Sequence, residues 1–244
     1  MLQARLNPRD IANALPDLPR WVEIRSMLLS NRANVFGLDL DAAPTPSFAV
    51  VKHDVGVVGA PNPKAILEAV QHSGEAAIVL AVPENLALVE AALPHWISER
   101  AALHTLASLN RLPEVPPGIV RLLEPGETTS LKNVPEDLYA ELADAVVDGA
   151  AIAAAFADGQ PVSFCYAGSE TEGLWDISID TLEPYWRQGH AARCVAFQIA
   201  RYRERGKAPV WGSLRSNLAS ARLAAKLGFV EVDEIYVLTP PPSF

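Results

Sequence analysis

The chain is poor in cysteine and has no long apolar run. Cys165 and Cys194 are its two cysteines among 244 residues, too few for a disulfide framework or a zinc site, so we expect both to be buried small hydrophobic residues. No apolar stretch approaches the roughly 18 residues that would cross a bilayer, and residues 1–10 lack the apolar core of a signal peptide. We therefore expect a cytoplasmic protein with no membrane partner.

An overall excess of basic charge is also missing. The net charge of −9 argues against nucleic-acid binding, because phosphate backbones are held by accumulated lysine and arginine. Residues 181–230 depart from this balance, with nine basic residues against two acidic ones. A solvated, arginine-rich helix face would explain that excess as well as an anion site would. The basic residues are Arg187, Arg193, Arg201, Arg203, Arg205, Lys207, Arg215, Arg222 and Lys226.

Half of the residues are hydrophobic and a fifth are charged, as in a folded, packed protein. The first third alternates between helical and strand patterns, which indicates an α/β or α+β unit. Four chain-breaking residues then fall within six positions, so we predict domains at 1–115 and 116–244. The breakers are Pro113, Pro116, Pro117 and Gly118. Predicted helices cover 20–29, 63–70 and 84–93, and predicted strands lie within 47–58 and 76–82.

The second half has a more informative order of elements. We predict a strand at 119–123, a helix at 135–147 and two strands within 150–166 that fold back about Asp158 and Gly159. Residues 174–181 alternate apolar and polar side chains, as a strand with one buried face does. A helix at 189–205, a strand at 208–213, a helix at 218–227 and a strand or pair at 229–238 complete the order.

The turn with sequence EPYWRQGHAA, residues 183–192, joins a predicted strand to a predicted helix. Unpaired backbone N–H groups and a partial positive charge at a helix start can bind a phosphate or pyrophosphate. Gly189 at the start of this helix would let an anion approach closely. A glycine at a helix start can equally serve local geometry alone, so the surrounding pattern has to decide.

That pattern resembles the GNAT acetyltransferases. Gly189, His190 and Ala191 match the second half of the family's acetyl-CoA loop, and SNLASARLAAKLGF matches its later helix and Gly-Phe ending. The matching positions in this second block are Asn217, Ser220, Leu223, Gly228 and Phe229. The resemblance implies an α/β fold with a mixed sheet and a splayed central strand in the C-terminal half, together with a smaller N-terminal α/β domain.

The resemblance also implies acetyl-CoA as cosubstrate and a set of residues that bind it. The strand before the loop would pair its backbone with the pantetheine arm, at Ile179, Thr181 and Leu182. The loop and the later helix would supply the remaining contacts. Their residues are Trp186, Arg187, Gln188, Gly189, His190, Ala191, Asn217 and Ser220.

Two positions depart from the family pattern. Trp186 stands where the loop usually has Arg or Gln, and Ala224 stands where many members carry a tyrosine that protonates the departing thiolate. A general base would lie near the splayed strand, and Asp176 and then Asp180 are our candidates. A bulge at the splay could turn either side chain toward the cleft. The alternative is that both carboxylates are solvated surface groups.

The resemblance predicts transfer of acetyl from acetyl-CoA to a primary amine of a small molecule or peptide by direct attack. A non-catalytic CoA-binding module is the main alternative, and transfer of aminoacyl or longer acyl groups is a third. No motif stands out in the N-terminal half, whose histidines lack metal-ligand spacing. That half could close one side of the acceptor cleft, support a homodimer, or be a second, degenerate unit of the same fold.

Overall fold

The computed structural model describes residues 7–30, 32–74, 77–124, 126–128, 131 and 134–241. Its helices are α1 (Pro8–Ala12), α2 (Val22–Leu29), α3 (Pro63–Ser73), α4 (Leu86–Ala92), α5 (Glu136–Val147), α6 (His190–Glu204) and α7 (Leu218–Leu227). Its strands are β1 (Asn34–Asp39), β2 (Ser47–Val51), β3 (Val55–Val58), β4 (Val79–Ala81), β5 (Ile97–Leu106), β6 (Val120–Leu122), β7 (Ala153–Ala157), β8 (Gln160–Glu170), β9 (Leu174–Thr181), β10 (Ala208–Leu214) and β11 (Phe229–Thr239). None of the helices in these ranges has the length and apolar character of a membrane span.

The chain divides into two compact units, each discontinuous in sequence. The first unit comprises residues 1–103, 212–218 and 231–244, and the second comprises 104–211 and 219–230. The sequence predicts a smaller N-terminal domain, whereas the two units are of nearly equal length because the first takes in C-terminal residues. The division into domains at 115/116 stays a prediction.

In the first unit the strands lie in the order β1-β2-β3-β4-β11-β5-β10. β1, β2 and β3 are antiparallel neighbours, β3 and β4 are parallel, and β4 and β11 are antiparallel. Alternate residues of these strands belong to two apolar clusters. One cluster also contains residues of α1 and α2, and the other contains residues of α3 and α4. Helices therefore supply apolar partners for both faces of the sheet, as in α/β folds.

In the second unit the order is β11-β5-β10-β9-β8-β7-β6. The strands from β6 to β9 are antiparallel neighbours, and β9 and β10 are parallel. One apolar cluster joins the sheet to α6 and α7 through Trp175, Val195 and Leu227, and another joins it to α5 through Leu142 and Phe164. A parallel pair connected by a helix, with α6 between β9 and β10, is the arrangement that positions the site described next.

The mixed sheet and the predicted order of elements in the second half are confirmed. The strand predicted at 174–181 and the helix predicted at 218–227 have the bounds of β9 and α7. The hairpin about Asp158 and Gly159 is β7 and β8. The predicted strand at 76–82 is shorter in the structure, where β4 covers Val79–Ala81, and residue 76 lies outside the described residues. Strands β1 and β5 were not predicted.

Candidate active site

Strand β9 diverges from its parallel neighbour partway along its length. It pairs with β8 from Trp175↔Glu170 to Thr181↔Ser163. Its pairing with β10 covers Leu174, Trp175 and Asp176 and ends there, although both strands lie wholly within the described residues. Beyond Asp176 the edge of β9 that faces away from β8 therefore has no partner strand, and this is the splay that the sequence resemblance implies.

Hydrogen bonds at the two ends of β9 show which backbone groups line that open edge. Ala208 N–H donates to Gly173 O on the β10 side at 2.8 Å, and Leu182 N–H donates to Val162 O on the β8 side at 2.9 Å. Backbone groups alternate in direction along a strand, so Ile179 and Thr181 point away from β8. Ile179 can offer its N–H and C=O to a ligand lying along the edge, and Thr181 can offer its N–H. The carbonyl of Thr181 and the N–H of Leu182 are already bonded.

The loop that follows β9 is held by its own hydrogen bonds. Trp186, which is 57% exposed, donates its indole N–H to Thr181 O at 2.6 Å. Gln188 Nε2 donates to Pro184 O at 3.1 Å. Trp186 thus links the loop to the end of β9 through a hydrogen bond. Arg or Gln at this position would instead contact the anion.

The loop ends at Gly189, the residue before α6. Gly189 has φ +84°, in the left-handed region that favours glycine. No described side chain caps α6, and its first helical bond runs from Arg193 N–H to Gly189 O at 3.1 Å. The N–H groups of the first turn, from His190 to Ala192, therefore lack partners within the helix. They form a ready anion site, with the positive end of the helix dipole behind them.

Two arginines stand beside this helix start. Arg187 is exposed and has φ +61°, an uncommon conformation for a residue other than glycine. A Cβ atom on Gly189 would lie 3.6–3.9 Å from the Arg193 guanidinium, so this group borders the same space. Neither arginine forms an ion pair with any described residue, whereas Arg205 and Lys207 pair with Glu170. The predicted basic segment therefore leaves positive charge at the start of α6.

His190, the first residue of α6, contributes no further charge. Burial, together with the nearby charge of Arg193, lowers the pKa of its imidazole. Its Nδ1 atom is buried and has no hydrogen-bond partner among the described residues. The unused ring nitrogen lies at the same helix start as the free N–H groups. It could therefore form a hydrogen bond with a polar ligand bound there.

The two predicted base candidates lie on one face of the sheet. Asp176, Ser178 and Asp180 alternate with Trp175 and Ile177, which are buried in the apolar cluster that includes α6. The register shift that marks a bulge lies in β8, between Ala167 and Ser169, and leaves Gly168 unpaired. The bulge therefore lies in β8, beside β9, and the expectation that it turns either aspartate toward the cleft stays a prediction.

Asp180 has neighbours that the sequence did not indicate. Burial and then the charge of Asp137 raise the pKa of Asp180. Burial, followed by the charges of Asp180 and Asp137, raises the pKa of Glu141 on α5. Burial, followed by the charge of Glu141, raises the pKa of the Tyr166 phenol on β8 to about 12. The face that carries the aspartates is therefore acidic and partly shielded from solvent.

The later block of predicted residues lies around the start of α7. Asn217 belongs to the first unit, where its N–H donates to Leu214 O at 2.9 Å. Ser220 belongs to the second unit, and its hydroxyl accepts the indole N–H of Trp211 at 2.9 Å. Ala224 is completely buried in the apolar cluster of the second unit. A tyrosine at that position would have to fit inside the apolar core, and the small alanine side chain suits this packing.

The described residues contain no group of three or more side chains that could hold a metal ion. Cys165 and Cys194 are both buried, as predicted, and burial raises the pKa of each thiol. Neither thiol is therefore a ready nucleophile.

Solved structures share this fold across nearly the whole chain. A GCN5-related N-acetyltransferase-like protein from Streptococcus suis is 20% identical, with 96% of this chain and 98% of that chain covered and a TM-score of 0.67. A GCN5-related N-acetyltransferase from Kribbella flavida is 17% identical, with 98% of each chain covered and a TM-score of 0.55. A tandem GNAT protein from the clavulanic acid biosynthesis pathway is 13% identical, with coverages of 91% and 89% and a TM-score of 0.54.

A family match in sequence covers part of the C-terminal half. No curated protein matches the chain significantly. A family described as GNAT acetyltransferase matches residues 149–238, the segment that holds the splayed strand, the loop and the helix start. Residues 149–238 of this chain therefore match the GNAT acetyltransferase family, and the solved structures above share its fold.

Proposed function

We propose that the second unit binds acetyl-CoA and transfers its acetyl group to a primary amine by direct attack. The observation that carries the proposal is the uncapped start of α6 at Gly189, which directly follows the open edge of β9. N–H groups and arginines suit a pyrophosphate, and an unpaired strand edge suits the two amides of a pantetheine arm. When bound, acetyl-CoA would supply an acyl group on a good leaving thiolate.

The order of these two features sets the direction of the arm. The pyrophosphate would lie at Gly189, after the end of β9, so the arm would run back along Thr181 and Ile179 toward Ile177. Four residues of strand span about 13 Å. The acyl end would then lie near Asp176, where β9 rejoins β10.

The face of the sheet opposite α6 is the one that the acceptor could approach in this arrangement, although α5 partly covers it. Trp175 and Ile177 are 0% and 6% exposed on the face covered by α6, which leaves no room for an amine there. The acceptor would therefore approach on the face of Asp176, Ser178 and Asp180. Negative charge on this face would attract a protonated amine.

In the reaction, the amine nitrogen would attack the thioester carbonyl, so that a C–N bond forms and the C–S bond breaks. The proton that the amine loses would pass to a carboxylate, directly or through water, and the thiolate would take a proton from solvent. Asp176 is our first candidate because it lies nearest the expected acyl end. Asp180 is the second, because a raised pKa gives a carboxylate greater affinity for that proton.

A screen of pooled amines with acetyl-CoA, read by released thiol, would identify an acceptor. Asp176→Asn and Asp180→Asn can then be compared with Asp158→Asn, which makes the same change in the exposed turn between β7 and β8. One of the two site variants should lose about tenfold to a hundredfold or more in rate at unchanged CoA affinity. Full rates in both variants would mean that the base lies elsewhere.

A non-catalytic CoA-binding module is the second candidate function. The presence of Ala224 favours it, because alanine has no proton to donate where many GNAT members carry a tyrosine. Saturable binding of acetyl-CoA without thiol release toward any amine would support this candidate. Thiol release with longer acyl-CoA substrates but not with acetyl-CoA would instead indicate transfer of larger acyl groups.

A further inference from the structure

The first unit repeats the order of elements that builds the site in the second. Three antiparallel neighbours, β1, β2 and β3, are followed by α3 and by β4, which is parallel to β3. In the second unit β7, β8 and β9 are followed in the same way by α6 and the parallel strand β10. A helix and a long strand then follow in each case, α4 and β5 in one and α7 and β11 in the other.

The parallel pair of the first unit also diverges, but a side chain bridges the divergence. β3 and β4 pair at Val55↔Val79 and Gly56↔Leu80. Beyond these pairs, Asn85 Nδ2 donates to Val57 O on β3, and Asn85 Oδ1 accepts the N–H of Val82 just after β4, both at 2.9 Å. Asn85 is 4% exposed. Its side-chain amide thus occupies the edge of β3 in the first unit. The equivalent edge in the second unit is that of β9, where Ile179 and Thr181 have no partner strand.

The helix start of the first unit is closed in a comparable way. Asn62 Oδ1 accepts the N–H of Lys64 at 2.9 Å, and Pro63, the first residue of α3, has no N–H to offer. Gly59 is packed so tightly that an added Cβ would lie 2.4 Å from Pro46 O. An anion at this helix start would have to displace the asparagine cap, whereas α6 has no such cap.

We infer that the first unit is a second copy of the cofactor-binding core whose slot is closed by Asn85 and Asn62, so that each chain binds one CoA, at Gly189. This inference rests on the proposed function for its ligand. The first unit would then have a structural role. Asn85 and Asn62 would have to move aside for a cofactor, and they hold the strands and the helix of this unit together.

Calorimetric titration of the whole chain with acetyl-CoA tests the inference. We expect one molecule bound per chain, and we expect Gly189→Glu to abolish all of the binding. Two molecules per chain, or one that remains in the Gly189→Glu variant, would overturn the closed copy. No binding by the folded wild-type protein would instead overturn the proposed function, and the closure by Asn85 then has to be tested without ligand.

Amide hydrogen exchange at Val82 provides that second test. Asn85→Ala removes the acceptor of the Val82 N–H, so we expect its exchange to become about tenfold faster or more. Asn85→Asp is the matched control, because it keeps an acceptor for Val82 while losing the donor to Val57 O. Equal exchange of Val82 in the wild type and both variants would show that Asn85 does not close the slot.

Discussion

Gly189→Glu is the substitution that bears most sharply on the cofactor site. Glycine adopts φ +84° without strain, whereas another residue in the left-handed region lowers the free energy of unfolding by about 1–2 kcal/mol. The added Cβ would lie 3.6–3.9 Å from the Arg193 guanidinium, so the new carboxylate could pair with Arg193 and with the first-turn N–H groups of α6. It would thereby occupy the groups that we assign to the pyrophosphate.

The expected loss of affinity follows from the contacts removed. A hydrogen bond to a charged group contributes about 1.5–3 kcal/mol, so loss of two would weaken acetyl-CoA binding by roughly a hundredfold or more. The backbone cost predicts a fall in melting temperature of only about 2–8 °C for a chain of this length. Calorimetry and thermal unfolding measure the two effects separately.

Gly189→Asn is the matched control, because asparagine tolerates the left-handed region better than most residues and adds no charge. We expect it to lose less affinity than Gly189→Glu at a similar melting temperature. Wild-type affinity in a folded Gly189→Glu protein would refute the assignment of the pyrophosphate to this helix start.

Two other predictions concern the loop and the first unit. Trp186→Phe removes the hydrogen bond to Thr181 O, and we expect about a fivefold loss of CoA affinity by calorimetry without a change in circular dichroism; unchanged affinity would contradict this role. Burial, then the charge of Asp54, raises the pKa of Glu23 to about 7 from 4.5. The folded state therefore binds more protons between these values, and its stability falls as the pH rises through them. Glu23→Gln should remove that loss, so that urea unfolding shows a gain of up to about 3 kcal/mol near pH 8 and a smaller one near pH 5.5. A gain that does not depend on pH would contradict the assignment to Glu23.

The elements around the site could be predicted because their patterns are local. The alternation from Leu174 to Thr181 defines β9, and Gly189 and Gly228 bracket the helices and turns that follow. Strand β5 could not be predicted from Ile97–Leu106, which is rich in alanine and charged residues. Its pairing partners come from far along the chain, as the bond from Arg215 N–H to Arg100 O shows.

The side chains that lie beside β3 and β9, the two diverging strands, depend on contacts between residues far apart in the sequence. Asn85 reaches Val57, 28 residues earlier in the chain, and nothing in the local sequence marks it as a bridge. Glu141 lies near Asp180 because α5 packs on β8 through apolar residues such as Leu142. Sequence patterns identify faces and turns, whereas these pairs depend on how the elements pack.

A crystal structure of the whole chain with acetyl-CoA would test the central claim most directly. We expect pyrophosphate oxygens within hydrogen-bonding distance of the N–H groups at the start of α6, about 2.7–3.2 Å. The pantetheine amides should lie along Ile179 and Thr181, with the acetyl group near Asp176. A cofactor found at the start of α3, or bound away from the edge of β9, would contradict the account.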